Sequence, residues 1–88
     1  MIALTLYSRP GCHLCEEMKA AIQRTLGRTG LDARVEEIDI STDADLEARY
    51  GTEIPVLLVN GKKAAKYRIS EWDLARLLRS GASDHRSG

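Results

Sequence analysis

Ile2-Ala3-Leu4-Thr5-Leu6-Tyr7 is apolar almost throughout and has no helix start signal before it. That run predicts a strand buried on both faces. After the breaker Pro10-Gly11, Leu14, Met18, Ala21, Ile22 and Leu26 recur at steps of three or four until Gly27 and Gly30. Glu16 and Glu17 come early and Arg24 and Arg28 late, so the charges suit the dipole of an amphipathic helix. Val35, Ile38 and Ile40 mark a second strand over residues 33–40, β-branched though imperfectly alternating.

Ser41 or Thr42 is placed to cap a short helix that carries Leu46 and Tyr50 on one face and stops at Gly51. Residues 54–59, Ile-Pro-Val-Leu-Leu-Val, read as a buried strand whose proline belongs at its start or edge. Asn60-Gly61 is a hairpin turn into a more polar edge strand over residues 62–67. Ser70-x-x-Asp73 resembles a capping box that opens a last helix carrying Leu74, Leu77 and Leu78 and ending at Gly81. Residues 1–81 thus form one domain, and residues 82–88 are expected to be a flexible C-terminal tail. The order β-α-β-α-β-β-α implies an α/β fold: helix crossovers make the first strands parallel and the tight turn makes the last pair antiparallel. The expected architecture is a four-stranded mixed sheet with helices on both faces.

Composition narrows the function. Leu, Ile and Val supply 20 of 88 residues, and 13 basic side chains balance 13 acidic ones. Such a chain is too apolar and too neutral for disorder, yet its core is small. Neutral charge argues against general nucleic-acid binding. No apolar run approaches the roughly 18 to 20 residues that cross a bilayer, and the first residues lack the basic start of a secretory signal, so no membrane association and a cytoplasmic location are expected.

The two cysteines are three residues apart, in Cys12-His13-Leu14-Cys15, where the first strand meets the first helix. Unpaired N–H groups at a helix start favour a thiolate, and Arg9 adds positive charge nearby, so Cys12 is the expected nucleophile. Cys15, one turn further on the same side, is the expected resolving thiol. A purely structural disulfide would gain only about 2 kcal/mol from closing so short a loop. A zinc site needs about four ligands, and beyond the cysteines the chain has only His13 and His85, so no metal site is expected.

The stretch Tyr7-Ser8-Arg9-Pro10-Gly11-Cys12-His13-Leu14-Cys15 resembles the active-site segment of glutaredoxins, and Ile54-Pro55-Val56 resembles their cis-proline loop. The resemblance spans nearly the whole chain and implies the minimal thioredoxin/glutaredoxin fold with thiol-disulfide oxidoreductase activity. It implies a cis Ile54-Pro55 bond, with the Ile54 backbone beside Cys12 to pair with a substrate strand. It also implies disulfide-containing proteins as substrates, no bound cofactor, and either glutathione as co-substrate or a thioredoxin-reductase-type reductant, acting on a monomer. The family's usual Pro-Tyr is His13-Leu14 here, and its usual Gly-Gly pair is Ala64-Ala65, which predicts that glutathione is a poorer partner than for a typical glutaredoxin. The position that carries a buried Asp in thioredoxins is Leu6. Some members instead carry an iron-sulfur cluster between two protomers' first cysteines and glutathione, and a redox-switched interaction module is a further alternative.

Tyr7 at the strand end is a candidate border of the substrate groove, or equally a core aromatic. Arg9 either steers anionic substrates or is solvated. His13 either tunes Cys12 or stands exposed on the first turn. Residues 31–53 hold eight acids against two bases and residues 54–88 seven bases against three acids, a split that solvated faces explain and that would also guide a charged partner.

Overall fold

The computed structural model describes residues 1–84. It contains β1 (Ile2–Ser8), α1 (His13–Thr29), β2 (Ala33–Asp39), a single 3-10 turn over Ile40–Thr42, α2 (Ala44–Tyr50), β3 (Val56–Val59), β4 (Lys62–Lys66) and α3 (Glu71–Asp84). The sheet order is β2-β1-β3-β4, with β1 parallel to β2 and antiparallel to β3, and β3 antiparallel to β4. This is the expected element order and mixed sheet.

Strand alternation divides the sheet into two unlike faces. Ile2, Leu4, Leu6 and Ser8 are buried, whereas Ala3 is exposed and Thr5 and Tyr7 are only half-covered. Burial of β1 on both faces is therefore corrected. The buried face packs with Leu57 against Met18, Ala21 and Ile22 of α1 and Leu74 and Leu78 of α3. Full burial of each large aliphatic side chain contributes about 1.5 to 3 kcal/mol, so this layer carries most of the stability. On the other face lies α2, which has no fully buried residue and stacks its Tyr50 ring on Tyr7 of the sheet.

The helix ends follow local chemistry. α1 runs through Gly27 and stops where Gly30 takes a left-handed conformation (φ 72°) and donates its N–H to the Leu26 carbonyl at 3.0 Å. The cap of α2 is Asp43, not Ser41 or Thr42: its carboxylate accepts from the N–H groups of Asp45 and Leu46 at 2.9 and 3.2 Å. Ser41 and Thr42 instead close the 3-10 turn on Asp39. Asn60 and Gly61, both with positive φ, make the two-residue turn between β3 and β4. Ser70 caps α3 as its spacing suggests, accepting from the Asp73 N–H at 3.1 Å.

α3 does not end at Gly81. It continues to Asp84, and Ala82 packs against the core, so residues 82–84 belong to the helix rather than to a tail. The reason is tertiary: Gly81 is buried against β3, and its carbonyl accepts a hydrogen bond from the Asn60 side chain at 3.0 Å. Residues 85–88 of the expected tail lie outside the described residues.

Candidate active site

Cys12 is the N-cap of α1, and its sulfur accepts the Cys15 N–H at 3.1 Å. The two sulfurs are joined in a disulfide, with Cα atoms 5.2 Å apart. Cys15 is only 1% exposed and Cys12 is half-exposed. Cys12 thus meets solvent in part, while Cys15 is shielded from it. The loop before them turns tightly, the Cys12 N–H donating to the Arg9 carbonyl at 3.2 Å.

Ile54-Pro55 is a cis peptide bond and Pro55 is buried. Because Val56 pairs with Tyr7, the proline stands at the end of the sheet from which the Cys12 loop emerges. The Tyr67 N–H donates to the Pro55 carbonyl at 2.9 Å, which ties the segment after β4 to the same end.

Other candidate residues sort differently. Tyr7 is half-buried and stacked on Tyr50, ring centroids 4.6 Å apart and planes 17° from parallel. The Arg9 guanidinium is partly exposed and ion-paired with Glu47 of α2. His13 points outward, its side chain 93% exposed and 3.9 Å from Glu17. Ile54 is half-buried and its N–H goes to the Tyr50 carbonyl at 3.1 Å.

Several residues near this end were not legible from local pattern. The buried Ser8 hydroxyl donates to Glu37 at 3.0 Å, and Lys19 of α1 pairs with the same carboxylate at 3.0 Å. The Lys19 hydrogen bond, seconded by Ser8, holds Glu37 below the ordinary carboxylate range against the opposing effect of burial. Glu37 in turn holds Lys19 above its usual value. Asp39 is also held low, chiefly by the Ser41 hydroxyl and amide, with Arg9 adding charge. Only the parallel register of β1 on β2 brings Ser8 to these acids.

The backbone around Ala64-Ala65 is irregular in a way the sequence does not signal. Ala64 is the extra residue of a bulge, since Leu57 pairs with Ala65 and Leu58 with Lys63. Just beyond it, Tyr67 is left-handed (φ 64°), a conformation that costs a non-glycine residue about 1 kcal/mol or more. Two bonds hold it there: its N–H on Pro55, and its hydroxyl, which donates to the Thr52 carbonyl at 3.2 Å.

A four-stranded mixed sheet with a Cys-x-x-Cys pair opening the helix after β1 and a cis-proline opening β3 defines a thioredoxin-fold protein. The chain belongs to the family of the glutaredoxin-like domain (DUF836), whose model matches residues 3–79. It is 30% identical over 86 residues to the glutaredoxin-like protein YDR286C homolog of Dictyostelium discoideum, an alignment covering 89% of this chain and 80% of that protein. Among solved structures it is similar to the target protein XcR50 from X. campestris, with TM-score 0.73 and 31% identity over 88% of this chain and 96% of that one. A mutant thioredoxin from Halobacterium salinarum NRC-1 shares the fold, with TM-score 0.65 and 23% identity over 92% of this chain and 74% of that one. Among the described residues, no helix is long and apolar enough to cross a membrane.

Proposed function

We propose that the protein is a dithiol-disulfide oxidoreductase that reduces protein disulfides. The observation that carries this reading is the unequal burial of two disulfide-bonded sulfurs at one helix N-terminus. In the reduced protein the Cys12 sulfur carries the thiolate, because the Cys15 N–H already points at it and the helix dipole favours negative charge there. It attacks one sulfur of the substrate disulfide; the S–S bond breaks, and the other substrate sulfur leaves with the electron pair and takes a proton. Cys15, one turn away, then attacks Cys12, forms the disulfide described above and releases the second substrate thiol. Two electrons pass to the substrate, and an external thiol reductant must restore them.

Glutathione or a thioredoxin-reductase-type enzyme would supply that reductant. A reducing compartment such as the cytoplasm keeps such a dithiol loaded. Turnover of a protein disulfide, coupled separately to glutathione with its reductase and to thioredoxin reductase, tests the reading. Sustained reduction with either system supports it, and no turnover with both overturns it.

A further inference from the structure

A groove of about 480 Å³ begins at Leu14, between the cysteines, and runs along α1 to residues 67–69. Its floor is apolar: Met18 and Ala21 are buried, and Leu14 and Ile69 are half-buried. The wall opposite α1 is the segment tied to the Pro55 carbonyl through Tyr67. Both walls therefore hang on the two elements that frame the reactive sulfur. A polypeptide bonded to Cys12 has this groove within reach of the residues flanking its own cysteine.

The charges around the groove are unequal. At one end Glu71 is satisfied twice, by Arg24 at 2.8 Å and Arg28 at 3.0 Å. Glu17 on the α1 wall lies near His13. Arg68 on the opposite wall is exposed and makes no ion pair among the described residues. It also lines the adjoining groove over Ala65 and Leu77, where Arg76 and Asp73 satisfy each other at 3.0 Å. Lys66 stands 5.4 Å over the Tyr67 ring and adds to the positive side. Arg24 and Arg28 are engaged by Glu71 at the far end, so near the cysteines an acidic group is repelled by Glu17 and drawn to Arg68.

We infer that this groove selects protein disulfides whose reacting cysteine has an apolar and an acidic residue beside it, the apolar side chain seated on Leu14, Met18 and Ile69 and the carboxylate on Arg68. The inference rests on the oxidoreductase reading and names the substrate class for the same site. Glutathione offers carboxylates but no apolar side chain, so it fills only the charged half.

The test uses the full-length reduced protein and peptides whose cysteine is linked to a chromophoric nitrothiobenzoate. Attack by Cys12 on the peptide sulfur expels the coloured thiolate, and Cys15 then releases the peptide thiol. Four substrates are compared by kcat/KM, read as the second-order rate of chromophore release in a single turnover of the dithiol: a peptide with Leu and Glu near the cysteine, one with Lys for Glu, one with Ser for Leu, and the glutathione mixed disulfide. The expected preference is about fivefold for Glu over Lys and about tenfold for Leu over Ser, the sizes of a partly exposed charge pair and a partly buried side chain. Arg68→Glu should invert the Glu/Lys preference, while Arg34→Glu, the same charge change on β2, should leave it. Equal kcat/KM for the three peptides, a glutathione substrate as good as the Leu-Glu peptide, or an Arg68→Glu protein with the wild-type preference overturns the inference while leaving the oxidoreductase reading standing. Absence of turnover with all four removes both.

Discussion

The Tyr50 ring of α2 lies flat on the Tyr7 ring of β1, centroids 4.6 Å apart. With the Arg9–Glu47 ion pair, this stack holds a seven-residue helix in which no side chain is fully buried. Both anchors grip residues next to the Cys12 loop, and the Tyr50 carbonyl also accepts the Ile54 N–H just before Pro55. Tyr50→Ala is expected to cost about 1 to 2 kcal/mol, from the lost aromatic contact and its buried area. Chemical denaturation measures the loss. Disulfide turnover should fall as well, since the loop that opens β3 loses its support, and unchanged stability and turnover would show α2 to be held by other means.

Reduced Cys12 should be alkylated faster than Cys15 at neutral pH, because it is half-exposed at the helix start while Cys15 is buried. Mass spectrometry after timed alkylation reads the two sites separately. Cys12→Ser should abolish exchange, whereas Cys15→Ser should accumulate a mixed disulfide with substrate. Faster labelling of Cys15, or equal trapping by both variants, would reverse or remove the assigned roles.

Gly81 lies inside α3, where alanine is ordinarily better by about 1 kcal/mol. Here a Cβ would fall 2.6 Å from Val59 Cγ1 and 3.4 Å from Ile2 Cγ2, both in packed strands. Overpacking of that kind costs about 1 to 3 kcal/mol, so steric crowding outweighs helix propensity. Gly81→Ala should lower the thermal midpoint, and a rise would mean that β3 yields to the new methyl.

Glu71 joins α3 to α1 through Arg24 and Arg28, and the Arg24 hydrogen bond is the main reason its carboxyl is held below the ordinary value of 4.5. A carboxyl lowered in the folded state contributes stability above its unfolded value, and that contribution is lost as pH falls through the folded value. Wild type should therefore exceed Glu71→Gln in thermal midpoint at neutral pH, with the gap closing below pH 4.5. The gap should be small, because the pair is exposed and screened by salt. A gap that persists undiminished at about pH 3, below the usual carboxylate range, would contradict the assignment.

The chain's periodicities determined the order of elements, the helix over Leu14, Met18 and Ile22, the Asn60-Gly61 hairpin and the Ser70 cap, because each depends on residues a few positions apart. Cys-x-x-Cys after a strand and the later Ile-Pro-Val likewise marked the candidate site, the chemistry being carried by residue type and spacing. The cap of α2 is Asp43 rather than its neighbours Ser41 or Thr42, since all three are good capping types and only backbone geometry chooses among them. Contacts across distant segments were settled by the tertiary structure. Arg9 found Glu47, Ser8 and Lys19 met on Glu37, Tyr67 took a left-handed conformation against Pro55, and α3 ran on past Gly81. Each of these depends on which strand lies beside which and on how closely α3 packs on β3. Those are properties of the assembled sheet that no local window of residues contains.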